Sequence, residues 1–286
     1  MNIIVGASGQ VGSILLKELV SRGLPVKAVV RDPSKVLDQN LEIGKADLFH
    51  EEQVVAAFKG GTTAFLLTPE NPRSNDVLED TRKIIRNYTA AIKATGIKKV
   101  VALSCIGAHV DGNTGNVLMS RMLEQELDEL NIERVYIRPS YYFSNWLAYL
   151  ATISQYGIMP TFFPADLKIE MLSPIDLAKF IADEMTREGQ SGNKRIHELT
   201  GPQKYSSKEV ADTFAYILNK PVKVQPIPPE KWLETLYGAG FSENAAQNLA
   251  AMTKAVIDDK LTAQYPKESI QLSTPFAQYL EKQLQK

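Results

Sequence analysis

Three glycines at Gly6, Gly9 and Gly12 follow a short β-branched run in the opening MNIIVGASGQVGSILLKELVSRG. Ile3 to Val5 reads as a strand buried on both faces. From Val11 the apolar residues Val11, Ile14, Leu15, Leu19 and Val20 recur at helical spacing, and Gly23 closes the helix. A chain that passes from strand to helix this quickly must turn tightly, and the helix must then pack close to the sheet. Glycine permits both, and it also lets backbone approach a ligand closely. The first N–H groups of such a helix point outward and its dipole favours an anion, so the unit suits a pyrophosphate. A plain glycine-rich turn would have the same spacing. The setting favours binding, with a strand before, a helix after and VKAVVR (26–31) as a second strand. Gly6, Ser8, Gly9, Gln10, Val11 and Gly12 are the expected contacts.

The rhythm continues for six rounds. Strands are expected at 42–48, 62–68, 98–104 and 132–139, and helices at 51–60, 77–96 and 117–130. Alternation with short connections predicts an α/β fold, a Rossmann doubly wound parallel sheet. After Pro139 the pattern breaks. SYYFSNWLAYLATIS (140–154) is aromatic and reads as helical, and 156–172 as loop with short strands. Ser173 and Pro174 suit the N-cap and first turn of a helix over 173–185, and Ser206 with Glu209 forms a capping box for another over 206–220. One more strand is expected near 195–202, and the remainder is mostly helical to the end. The expected division is a nucleotide-binding domain over 1–145 that also takes 173–200, with 146–172 and 201–286 forming a smaller mixed part that caps the substrate.

Composition excludes several functions. The 286 residues carry 32 Lys+Arg against 33 Asp+Glu, scattered rather than blocked, so no nucleic-acid surface is expected. A single cysteine, Cys105, forbids an intrachain disulfide and suits a reducing, cytoplasmic setting. No apolar run approaches the roughly 20 residues that span a bilayer, and no signal peptide is visible. No metal-ligand spacing is present. A monomer or a homodimer is expected: the 77–95 and 117–130 stripes fit a dimer contact as well as they fit the sheet.

The end of the second strand bears on which dinucleotide binds. A carboxylate there favours NAD, whereas a guanidinium suits the 2′-phosphate of NADP. Arg31 occupies the position and Lys35 can add charge, although Asp32 offers a carboxylate one residue later. The balance predicts NADPH over NADH. Asp47, followed by Leu48, reaches either the adenine edge or the start of the next helix. Leu67, Thr68 and Pro69 end the fourth strand, where a nicotinamide ribose would lie.

Taken together, GASGQVG (6–12), VVRDPSK (29–35), KADL (45–48), VVALSCIGA (100–108), IRPSYYFSNWL (137–147) and IHELTGPQKYSSKEVA (196–211) resemble the NmrA-like group of atypical short-chain dehydrogenases. That resemblance runs over nearly the whole chain. It implies a Rossmann domain for NADP(H), a small C-terminal part and a substrate cleft between them. The group includes quinone, azo-dye and triphenylmethane-dye reductases, and also a redox-sensing regulator that binds the dinucleotide without turning it over.

Ordinary short-chain dehydrogenases place a serine after strand five and a Tyr-x-x-x-Lys further on, with the lysine tuning the tyrosine as a proton donor. Ser104 stands at the serine position, and it is a candidate for cofactor contact as well as for catalysis. Residues 105–130 contain neither tyrosine nor lysine, and Arg121 is the only cation there. The Tyr216–Lys220 pair lies on an apolar-striped C-terminal helix and is not expected to serve. Reducing a simple ketone needs a positioned acid, a quinone needs one less, and a triarylmethyl cation needs none. The reading is therefore an NADPH-dependent reductase of a flat, electron-poor small molecule. The alternative is a dinucleotide sensor acting through a protein partner, and a sugar-nucleotide epimerase is disfavoured for want of the tyrosine. His109 is either a donor or an exposed loop residue. Asn145 is a polar candidate for catalysis and Tyr141 for cofactor contact. Tyr142, Phe143, Trp146 and Phe162 either line a substrate site or pack into the core, with Phe162 and Phe163 a candidate lid.

Overall fold

The computed structural model describes residues 1–36, 41–190 and 192–285. Lys286, the last residue of the expected helical terminus, lies outside them, as do residues 37–40 and 191 within the expected nucleotide-binding domain. In chain order the first half runs β1 (Asn2–Val5), α1 (Gln10–Ser21), β2 (Val26–Val30), β3 (Glu42–Lys45), α2 (Glu51–Phe58), β4 (Thr63–Leu67), α3 (Val77–Thr95), β5 (Lys99–Leu103), α4 (Val117–Asp128) and β6 (Glu133–Pro139). There follow β7 (Tyr141–Tyr142), α5 (Leu150–Tyr156), β8 (Ile158–Thr161), β9 (Ile169–Leu172), α6 (Pro174–Thr186), β10 (Lys194–Thr200) and β11 (Lys204–Tyr205). The chain closes with α7 (Ser207–Leu218), β12 (Lys223–Pro226), α8 (Trp232–Gly238), α9 (Glu243–Ile257), β13 (Ile270–Gln271) and α10 (Phe276–Leu284).

The main sheet has eight strands in the order β13-β10-β6-β5-β4-β1-β2-β3. Every pairing in it is parallel. Strand order reverses between β1 and β4, and the crevice at their carboxyl ends is where a doubly wound sheet binds ligands. Burial on both faces explains the unbroken apolar runs: Ile3, Ile4 and Val5 have no exposed surface. The Ile3 and Val5 face packs against α2, α3 and α4 through residues such as Phe58, Ile84, Tyr88, Leu123 and Leu127. The Ile4 face packs against α1 and α6 through Leu15, Leu19, Leu177 and Ile181. The apolar stripes of α3 and α4 are thus spent on the sheet. Ser173 caps α6 and Ser206 with Glu209 closes the capping box of α7, as their sequence patterns predict.

Two features depart from the sequence reading. The 140–154 stretch is not one helix: it opens as β7, continues as a short 3₁₀ segment over Phe143–Tyr149 and becomes α5 only at Leu150. Tyr141 and Tyr142 are drawn into strand geometry by pairing with Met171 and Leu172 of β9. In addition, β13, from the far C-terminal region, joins the main sheet beside β10. A third apolar cluster, around Phe143, Phe214, Phe276 and Leu280, holds the remaining helices together.

The α6–β10 side carries a buried ionic network. Glu184 meets Arg187 at 3.1 Å, Arg195 at 3.2 Å and His197 at 3.5 Å. Burial by itself would raise its carboxyl; the hydrogen bonds and positive charge of these neighbours overcome that and hold it at about 2. With the folded-state value depressed, the contribution is complete above about pH 4.5 and is lost as the pH falls toward about 2. The expected result is a loss of about 3 kcal/mol across that window. Urea midpoints between pH 6 and pH 2 check it, since Glu184→Gln flattens that part of the profile.

Candidate functional site

The first wall of the site is the β1–α1 turn. Gly6 has φ +68°, a conformation that favours glycine. A β-carbon on Gly12 would lie 2.2 Å from the Gly6 carbonyl oxygen, so helix and turn touch backbone to backbone. Gly9 N–H donates to Gly6 O at 2.8 Å and sets the α1 N-terminus. No side chain caps that terminus and its first turn holds no acidic residue, so its amides and dipole face outward. Ser8, Gly9 and Gln10 are exposed there, whereas the Val11 side chain is buried in the core and offers only its N–H. Gln10 Nε2 donates to Ser144 Oγ, tying the turn to the segment after β7.

At the end of β2, Arg31 is exposed and forms no ion pair among the described residues. Asp32 is engaged locally, accepting from Ser34 N at 3.1 Å and Ser34 Oγ at 2.7 Å. Those bonds keep its carboxyl below the usual aspartate range. Lys35 is exposed one turn on. Asp47 does not cap α2, a position held by His50; it accepts instead from Phe49 N at 3.0 Å, leaving its side chain half-buried at the sheet edge. Leu48 packs on the core, and its carbonyl accepts from Asn87. Leu67 lies beside Gly6, with Thr68 half-buried and Pro69 exposed beyond it.

The second wall corrects several sequence expectations. Ser104 is 5% exposed and donates to Glu124 Oε1 at 2.5 Å, on the α4 side of the sheet; its hydroxyl is committed there and is not presented to a ligand. Its neighbour Cys105 lies beside Ser120 of the same helix. His109 lines a groove with Arg138, Gln264 and Tyr265. Phe143 has no exposed surface and Trp146 has 1%: Phe143 packs on Phe276, and Trp146 Nε1 donates to Met171 Sδ, so both are core residues and not substrate contacts. Phe163 is likewise buried, edge-on to Tyr141 at 5.5 Å, which removes it from a lid. Phe162 is half-buried against Trp232 at 6.0 Å. Tyr141 and Tyr142 keep partial exposure, and Asn145 lies beside Tyr141.

What α4 offers in place of a Tyr-x-x-x-Lys is a polar stripe. Asn116, Ser120 and Glu124 recur every four residues and so share one face. Asn116 lies beside Glu70, Ser120 lies beside Cys105, and Glu124 holds Ser104 and Arg138. Arg121 is turned off this face and pairs with Asp111 at 2.5 Å. Burial pushes the Cys105 thiol up to about 12 and raises the Tyr142 hydroxyl further. Glu70, past the end of β4, is exposed. Glu70, Cys105 and Asn116 are absent from the sequence-based candidates. The only signal for Glu70 is its place just past a strand end, after Pro69.

This geometry has relatives. The sequence matches the NmrA-like family over residues 2–280. The chain belongs to the NmrA-like family. A NAD(P)H azoreductase from Xenophilus azovorans is 27% identical over 254 residues, covering 86% of this chain and 84% of that enzyme. Among solved structures, an NADPH-dependent quinone oxidoreductase from Escherichia coli, complexed with NADPH, superposes with a TM-score of 0.80 at 22% identity, covering 99% of this chain and 100% of that one. A triphenylmethane reductase from a Citrobacter species, complexed with NADP(H), gives a TM-score of 0.77 at 20% identity over 98% of this chain and 99% of that one. These two structures thus share the fold of this chain along nearly its full length. No helix among the described residues is long and apolar enough to cross a membrane.

Proposed function

We propose that this NmrA-like protein is an NADPH-dependent reductase of flat, electron-poor acceptors such as quinones and dyes. The observation that carries the reading is the uncapped N-terminus of α1, set by Gly12 against Gly6 at the β1/β4 switch point. A pyrophosphate fits that site because outward N–H groups and a dipole lack any other partner there. Arg31, exposed and unpaired among the described residues, supplies the guanidinium a 2′-phosphate needs, and Asp32 does not compete because Ser34 holds it. The nicotinamide, when bound, supplies hydride. The protein holds the dinucleotide along the crevice, and Tyr142 with Thr68 and Pro69 flanks the reacting end. Names of the relatives, an azoreductase, a quinone oxidoreductase and a dye reductase, support the acceptor class.

Purified protein is expected to quench its tryptophan fluorescence with NADPH more tightly than with NADH, and to oxidise NADPH steadily with at least one quinone or dye. Arg31→Ala is expected to weaken NADPH binding by roughly tenfold or more while sparing NADH, as loss of a charge-assisted phosphate contact predicts. Tight NADPH binding without turnover on any acceptor would sink the reductase reading in favour of a dinucleotide sensor.

A further inference from the structure

Gln10 offers two separate groups at the first turn of α1. Its backbone N–H is among the amides that have no partner within the helix. Its side chain crosses to another part of the chain: Nε2 donates to Ser144 Oγ, 134 residues on.

The segment it reaches is built to present that hydroxyl. A 3₁₀ helix has three residues per turn, so over Phe143–Tyr149 the residues Phe143, Trp146 and Tyr149 share one side. Phe143 and Trp146 enter the third apolar cluster, Phe143 against Tyr279 at 5.7 Å and Trp146 against Tyr149 at 6.4 Å. Ser144 falls on a different side and stays half-buried, where Gln10 meets it. Tyr279 of α10, 3% exposed, lies beside Ser144 and backs it. Gln10 is rooted in a different core, because the next residue, Val11, packs on the Ile4 face of the main sheet. The bond thus joins the turn that would seat the pyrophosphate to the segment that follows Tyr142, the residue proposed to flank the reacting end.

Stability alone does not account for such a bond. Gln10 is exposed, and holding a glutamine in one rotamer costs about as much as one hydrogen bond returns. Positioning is a different matter. Hydride transfer needs donor and acceptor in one geometry, and a misplacement of about 1 Å can cost about 100-fold in rate.

We propose that Gln10 is a positioning residue: through Ser144 its side chain fixes the 143–149 segment and the adjoining Tyr142 against the cofactor seat, so that the acceptor is held in register with the nicotinamide. This rests on the reductase reading above. The division of labour can be separated, because removing the side chain leaves the backbone N–H in place. The dinucleotide should then bind as before, while the acceptor side loosens.

The test is a double-mutant cycle on Gln10→Ala, Ser144→Ala and the pair, with Ser144→Thr as the variant that keeps the hydroxyl. Rates are read under single-turnover conditions with NADPH bound, on whichever of a soluble naphthoquinone and an azo dye the wild type reduces faster. Each alanine variant is expected to slow the reaction by about 10- to 100-fold. The pair should be no slower than the slower single variant, since both changes remove one bond. Ser144→Thr should keep most of the rate. NADPH dissociation constants should stay within about threefold of wild type, and melting temperatures within about 3 °C. A second readout needs no turnover: in the cofactor-free protein, both alanine variants should speed amide hydrogen exchange across residues 143–149. Losses that multiply in the pair, unaffected rates, unchanged exchange over 143–149, or a loss of NADPH affinity as large as the loss of rate would overturn the positioning role while leaving the reductase reading in place. A wild type that binds NADPH but reduces neither acceptor would overturn both.

Discussion

Replacing Arg138 with leucine is expected to destabilise the protein by about 3–5 kcal/mol, because it strands two buried carboxylates. Arg138 is 3% exposed. Its guanidinium grips Glu124 with two bonds, Nε to Oε1 at 2.8 Å and Nη2 to Oε2 at 2.6 Å. Nη1 donates to Gln264 Oε1 at 2.7 Å and lies 3.6 Å from Glu198. Glu198 also accepts from the backbone N–H groups of Gln264 and Tyr265 and so pins the segment before β13. The arginine thus joins α4, β6, β10 and the 264–265 segment at one point. Removing it leaves charge in a dry interior with no compensating cation, whereas removing both partners of a pair costs far less. Arg138→Leu combined with Glu124→Leu should accordingly recover much of the loss, since Glu198 keeps its two backbone donors. Urea midpoints at constant slope measure both variants. A single-variant loss under about 1 kcal/mol would refute the buried-charge account.

The second large effect is expected at Gly12. A β-carbon there would meet only backbone: Gly6 O at 2.2 Å, Gly6 C at 2.8 Å and Ala7 Cα at 3.2 Å. Neither neighbour is a side chain that can rotate away, so Gly12→Ala must push α1 off the turn. Overpacking of this kind costs about 1–3 kcal/mol. The displaced amides should also weaken NADPH binding by at least about tenfold, the scale on which 1.4 kcal/mol acts. Gly9→Ala is the comparison: its β-carbon would sit 3.1 Å from Gly6 O, and its φ of −83° is open to any residue. The smaller change should be felt mainly in binding. Melting temperature and fluorescence titration separate the two, and equal behaviour of both variants would show that the close approach is not what matters.

Much of the fold is written locally. The helical spacing after Val11, the two-sided apolar strands, the Ser173 N-cap and the Ser206–Glu209 box each depend on residues within a few positions of one another. The 140–154 stretch defeated the same rules because Tyr141 and Tyr142 take their conformation from β9, some thirty residues on. The site divides in the same way. The glycine turn and Arg31 are legible because strand, turn and helix are contiguous. Ser104 stands at a strand end like a catalytic serine, and only the packing of α4 shows that its hydroxyl is committed to Glu124. Phe143 and Trp146 look like a substrate wall in sequence, but the packing of α10 and β9 encloses them.

By itself, then, the sequence determined a doubly wound sheet, a glycine-bounded helix terminus at its first turn and the absence of tyrosine and lysine from residues 105–130. Short-range sterics, periodicity and capping decide such features, and they need no knowledge of what packs against what. Tertiary structure alone decided the rest. Arg138 neutralises carboxylates from α4 and β10 that lie far from it along the chain. Glu184, one of 33 acidic residues, becomes distinctive only where β10 brings Arg195 and His197 against α6. A carboxyl's proton affinity depends on the water and charge that surround it, and those are set by which distant segments meet.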